Sequence, residues 1–354
     1  MTKQTWTATV SAVLFVVLAA VIALVPVPYV TWTPGATHDL LGDVNGSPMI
    51  TVTGATTHST TGQLLMTTVA VTAPGSTLSL PEAFFAYWLP SREVLPRAAV
   101  YRDGENPSDI SQGESELMTD SQSEAVVAAL RQAGIPVYNW PMVESVTASG
   151  PANDVLKPGD MIQSVSISGS SGVTASSIQV VQDAIAHAGV GQPVSFSVLR
   201  NGQRMVATVT TRATTANPDK PVVGINLTTG YTYKPKVTFA VDPAVGGSSA
   251  GLMFALAITD KLTGDDMVGD RVIAGTGTMA ADGTVGPIGG VQEKIAASVR
   301  DGASIFVMPR KNCVDVGTPP SGIRVVPVDT LSEAIEALSK LADDQTAGSV
   351  AGCG

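Results

Sequence analysis

The sequence predicts an α+β fold behind a single apolar helix, and three observations carry that prediction. From Gln4 to Thr37 there is no Asp, Glu, Lys or Arg, and Ala8–Val25 is an almost unbroken apolar run. Residues 35–80 hold β-rich runs divided by Gly, Asn and Ser. Farther on, segments with helical apolar spacing, such as Asp120–Gly134, Ser176–Ala188 and Leu252–Thr263, recur between strand-like ones.

The apolar run comes first. At about 1.5 Å of rise per residue, some 18–21 residues cross a hydrocarbon layer of about 30 Å. A secretory signal would end in a polar region with an A-x-A-like site, whereas this run passes directly into Pro26-Val-Pro-Tyr-Val-Thr-Trp32. That favours an uncleaved anchor over residues 8–28. After Lys3 the next Lys or Arg is Arg92, so residues 1–7 are expected in the cytoplasm and everything beyond the anchor outside it. Tyr29 and Trp32 fit either interfacial anchoring or the core of the next strand. An exterior location allows a Cys313–Cys353 disulfide that staples the tail, with two free thiols as the alternative; geometry alone decides between them.

Composition narrows the function. The 354 residues leave room for about two domains. Twenty Lys+Arg against thirty Asp+Glu give a net charge of −10, which argues against nucleic acid as a partner. With 44 % hydrophobic and 14 % charged residues and a mean hydropathy of +0.25, the chain is too apolar to be disordered. Two cysteines and three histidines, His38, His58 and His187, cannot build a zinc framework, so no metal is expected. No GxxxxGK[ST] occurs, so no ATP-driven machine is expected within this chain and no cofactor is called for.

Along the rest of the chain, Met49–Thr53 and Gln63–Thr72 read as strands, Pro81–Leu89 as a helix, Ser111–Met118 as an acidic polar stretch, and Asp120–Gly134 as a capped helix with a glycine stop. Between Ile135 and Arg212 the pattern shifts to short strands, a Leu156-Lys-Pro-Gly-Asp160 turn, a helix over Ser176–Ala188 and a hairpin with Asn201-Gly202 at its tip. With Gly150-Pro-Ala152 ahead of the turn and the Arg200-Asn-Gly-Gln203 hairpin behind the helix, this order resembles a PDZ domain of the bacterial protease-associated type. The resemblance implies polypeptide or C-terminal peptide partners bound by strand addition, or a spacer with a closed groove. His187, ending the helix, reads as a surface residue at a C-cap.

The chemistry lies farther on. Asp242-Pro-Ala-Val-Gly-Gly-Ser-Ser-Ala-Gly251 is a loop of small residues feeding an apolar helix, which exposes a serine at the positive helix end where N–H groups stabilise an oxyanion. Then come the strand-like Ile273-Ala-Gly-Thr-Gly-Thr278 and a glycine-rich bend into Val291-Gln-Glu-Lys294. No histidine lies within about 60 residues of Ser249 or Lys294, so a serine–lysine dyad is more economical than a Ser-His-Asp triad.

Ser249-Ala-Gly251, Thr276-Gly-Thr278 and Gly286-Pro-Ile-Gly-Gly-Val-Gln-Glu-Lys294, in that order, resemble the proteolytic domain of the Lon peptidases, and 45 residues separate serine from lysine as in that family. The likeness extends through Ala303–Asn312, Arg324–Val328 and Leu331–Leu341, and back to Gly62–Thr68 and the helix at Asp120–Ala133. It implies a serine endopeptidase with Ser249 as nucleophile and Lys294 as base, Thr276 bonded to the lysine, and Gly247 and Ser248 in the oxyanion loop. Ser248 competes as nucleophile.

As a whole the chain resembles membrane-bound, ATPase-lacking Lon-like proteases carrying a PDZ domain. That implies a protease domain split into 35–134 and 213–345 by a PDZ domain at 135–212, a tail at 346–354, unfolded or flexible protein substrates, and a homo-oligomer. The family commonly has an acidic residue three positions before the serine and a proline immediately before it. Here those places are Gly246 and Ser248, and the rival reading is a catalytically inactive PDZ-containing surface scaffold. For the enzyme, burial of Lys294 among Val291, Ile295 and their neighbours has to lower its pKa from the ordinary value of about 10.4, so that the amine is neutral and able to take the serine proton.

Overall fold

The apolar run forms one helix, Lys3–Leu24, 22 residues long with none buried. It is long and apolar enough to cross a membrane, with a mean hydropathy of 2.6 over its best window. A computed structural model describes residues 2–353 apart from positions 45, 90, 103, 168–170 and 215–216. Within it the fold is α+β, in two compact units: Met1–Gly134 together with Pro235–Gly354, and Ile135–Lys234.

The first unit is organised by a six-stranded sheet in the order Arg324–Val328, Ile305–Pro309, Val272–Gly275, Gln63–Val71, Tyr29–Asp39, Glu93–Pro96. Its first four strands are parallel and the last two pair antiparallel. All five residues of Ile305–Pro309 are buried, as parallel strands covered on both faces require. The helix Gly251–Thr263 buries eleven of its thirteen residues, which makes it a central core element rather than a surface one. The helix Pro107–Gln132 packs along it.

That second helix starts thirteen residues before the expected Asp120. Pro107 occupies its first turn behind Asn106, where a missing N–H costs nothing, and the acidic polar stretch 111–118 is helical, mostly exposed with Met118 buried. Its end is as expected: Gly134 takes φ +69°, a left-handed conformation that glycine adopts without strain.

The second unit is a sheet in the order Gln203–Thr210, Pro193–Arg200, Met161–Ile167, Tyr138–Val146, Ile225–Thr232, with the helix Ile178–Ala188 over a core of Phe196, Ile162, Val181 and Val143. The hairpin turns at Asn201 and Gly202, both at positive φ, as a two-residue loop demands. This unit runs to Lys234 rather than to the expected Arg212. The reason is Ile225–Thr232, which pairs along the whole of Tyr138–Val146 at the unit's start; strand propensity marks such a run but not the sheet it joins. The Lys-Pro-Gly-Asp turn has a defined role. Asp160, fully buried, accepts from the Lys157 N–H at 2.9 Å and from the Arg200 guanidinium at 2.6 Å, tying turn to hairpin.

Candidate active site

The loop before the Gly251–Thr263 helix is held by the Pro107–Gln132 helix at two points. The Gly247 N–H donates to the Glu114 carbonyl at 2.9 Å, and the Ser121 hydroxyl donates to the Ser248 carbonyl at 2.9 Å. The consecutive glycines follow from this approach. Gly247 sits at φ +88°, and a Cβ on Gly246 would lie 2.5 Å from Glu114 Cβ, so the Glu114 side chain stands where a side chain at 246 would project. At the loop's other end the Ser249 carbonyl accepts from the Gly277 N–H at 2.8 Å and from the Thr276 hydroxyl at 3.0 Å.

Lys294 projects from the first turn of the helix Val291–Arg300. Its Nζ lies 2.8 Å from Ser249 Oγ and 2.9 Å from Thr276 Oγ1. Thr276, fully buried at the end of the Val272–Gly275 strand, therefore touches both partners: it donates to the serine backbone and accepts from the lysine. Burial lowers the Lys294 pKa from 10.5 to about 7, against a smaller upward pull from the neighbouring Glu293 carboxylate. Burial also pushes the Glu293 carboxyl up, which weakens it as a counter-charge. A lysine amine whose hydrogen-bond partners among the described residues are two hydroxyls gains little from being charged, and near pH 7 a substantial fraction is free amine.

Ser249 is half-buried and opens onto a cavity of about 1310 Å³ lined by Met118, Val69, Ile288 and Glu114, among others. No histidine lines it. His187 bonds through Nδ1 to the Asp183 carbonyl of its own helix at 2.7 Å, as a residue in a last turn does. Ser248 enters through its backbone, and Lys294 reaches Ser249 instead. The Gly247 N–H differs from expectation: it is engaged by Glu114 and is not free to meet an oxyanion. The roles of Glu114 and Ser121 escape sequence reasoning, because they reach the loop across more than a hundred residues. The signal that could have found them is the Gly246-Gly247 pair, since adjacent glycines can mark a close backbone approach. Cys313 and Cys353 are disulfide-bonded, with the tail drawn against a cluster that includes Phe306 and Val325.

Comparison with known proteins shows what this site is similar to. Residues 240–340 match the Lon protease (S16) C-terminal proteolytic domain. Lon protease of Chloroflexus aurantiacus is 37 % identical over 93 residues, 25 % of this chain and 11 % of the relative. Lon protease of Rhizobium meliloti is 34 % identical over 93 residues, with the same coverage of 25 % and 11 %. The chain thus spans 11 % of the length of these curated relatives. Among solved structures, the PDZ domain of the SdrC-like protein from Listeria monocytogenes aligns at 30 % identity with a TM-score of 0.22, covering 25 % of this chain and 88 % of that one. The matched stretch, residues 240–340, carries both Ser249 and Lys294.

Proposed function

We propose that the chain is a Lon-type serine endopeptidase that uses Ser249 as nucleophile and Lys294 as general base. The observation that carries this reading is the 2.8 Å contact between Lys294 Nζ and Ser249 Oγ inside a buried site that brings the amine's pKa to about 7. The neutral amine takes the Ser249 proton as Oγ attacks a peptide carbonyl, and a tetrahedral oxyanion forms. The ammonium then gives that proton to the leaving amine nitrogen, the C–N bond breaks, and an ester to Ser249 remains. Water, deprotonated by the regenerated Lys294 amine, releases the acid and restores the serine. The Ser249 and Ala250 N–H groups, which have no partner among the described residues, are the candidate oxyanion donors. Thr276 positions the lysine.

In the same reading Lys3–Leu24 is a single-pass anchor with its amino end in the cytoplasm, supported by its length, its apolarity and Lys3. The other described residues are then extracytoplasmic, where the Cys313–Cys353 bond is stable. The unit Ile135–Lys234, by its strand and helix order, is a PDZ module that binds extended polypeptide beside the helix Ile178–Ala188. Substrates are unfolded or flexible proteins, and cleavage needs no nucleotide bound to this chain, whose sequence carries no phosphate-binding loop signature.

The test is degradation of an unfolded protein by the full-length chain in detergent without nucleotide. Ser249→Ala is expected to lower the rate by about 1000-fold or more, and Lys294→Ala by about 100-fold or more. Wild-type activity in either variant contradicts the dyad.

A further inference from the structure

The helix Leu80–Trp88 is amphipathic in the wrong sense for water. Its inward face is made of small residues, with Ala86 buried and Ala83 half-buried. Its outward face carries Phe84, Phe85, Tyr87 and Trp88, exposed to 57, 66, 73 and 70 %. Leu80 and Leu89 extend the exposed face at both ends. The aromatic rings neighbour one another, with centroids about 6 Å apart along the helix. Glu82 is the only charged residue in the stretch, and its carboxylate is turned back onto the Ser79 N–H at 2.8 Å in a capping box. A surface helix facing solvent places polar side chains where this one places its aromatics.

The backbone puts this helix at the end of the apolar one. Pro26 pairs with Ser79 and Val27 with Leu78, antiparallel. The chain going from 78 to 80 therefore runs back toward Val25, and the helix opens beside the last turn of Lys3–Leu24, which it touches. Nine residues make a helix of about 13 Å. A helix this short, touching the apolar one and starting at its end, begins at the edge of the hydrocarbon layer, where the headgroup zone lies. Tryptophan and tyrosine with apolar neighbours are the side chains that zone favours.

We propose that Leu80–Trp88 is a second membrane contact: it lies in the bilayer interface with Phe84, Phe85 and Trp88 among lipid chains and headgroups. With the anchor it fixes the tilt of the first unit, which a single helix alone leaves free to swivel. The proposal rests on Lys3–Leu24 being a span. It is independent of the peptidase chemistry.

The test is site-directed spin labelling of the full-length chain in phosphatidylcholine vesicles. Cys313 and Cys353 are bonded to each other and take no label. Phe85→Cys reports the aromatic face, Val16→Cys the middle of the apolar helix, and Gln345→Cys an exposed site on the ectodomain. The expected result at position 85 is a several-fold lower collision rate with a water-soluble nickel chelate than at 345, with a higher oxygen collision rate. Chelate access at 85 equal to that at 345, while 16 is shielded, overturns the proposal and leaves the span standing. Chelate access at both 16 and 85 overturns the span and the proposal together. Low rates with both reagents at 85 identify cover by a second copy of the chain and also overturn it. Trp88→Cys repeats the measurement should Phe85→Cys not reconstitute.

Discussion

Two cations, the half-buried Arg200 in one unit and the buried Lys294 in the other, show opposite solutions to the problem of holding a basic group in the fold. Arg200 meets Asp160 through two guanidinium nitrogens at 2.6 Å, and hydrogen bonding to that carboxylate raises its pKa. Lys294 meets two hydroxyls, and burial brings its pKa down to about 7. A guanidinium matched to a buried carboxylate locks a turn to a hairpin. An amine buried with only hydroxyls is held near neutrality, where it can give and take a proton at physiological pH. Residue type alone does not separate these fates; the partner does.

Breaking the paired site should give the larger stability effect. Arg200→Leu leaves the fully buried Asp160 carboxylate without its guanidinium, so the unit Ile135–Lys234 is expected to lose about 3–5 kcal/mol. Hydrogen exchange at Phe196 and Ile162 in the full chain reads that loss locally. Unchanged protection there would show that the clamp is dispensable.

The unpaired site should respond with the opposite sign. The Lys294 pKa of about 7 in the folded chain lies below the ordinary 10.5. Between those values the folded state binds fewer protons than the unfolded one, so stability climbs as pH rises from about 7 toward about 10.5. Lys294→Met removes the desolvated amine. It is expected to raise stability at pH 7 by about 1–3 kcal/mol and to flatten that slope, with activity lost. Urea unfolding at pH 7 and pH 9.5 checks both, and a destabilised Lys294→Met would mean that the lysine is a structural cation after all.

The same contrast explains what could be read from the sequence. Ser249 and Lys294 stood out because each sits in a dense local motif, a small-residue helix entrance and a glycine-rich bend into a helix, whose linked order resembles one family. Asp160 was legible as a turn residue and Arg200 as part of a hairpin, but their pairing spans 40 residues and needs the sheet to exist. Glu114 and Ser121 were hidden for the same reason. The start of the Pro107–Gln132 helix was missed because a polar helical face has no apolar period to find. The strand Ile225–Thr232 pairs with Tyr138–Val146, about 80 residues earlier, a partnership no local pattern reveals, and this moved the unit's end from Arg212 to Lys234. The cysteine pairing stayed open until the Cα atoms were seen 5.3 Å apart.

The most direct measurement is the pH dependence of kcat/KM for peptide cleavage by the full-length chain between pH 5 and pH 9. With Lys294 as the base, the rate should fall about tenfold per pH unit below about 7 and level off above it, and Ser249→Ala should be inactive throughout. A wild-type rate that stays flat across this range, or that survives in Ser249→Ala, would contradict the account.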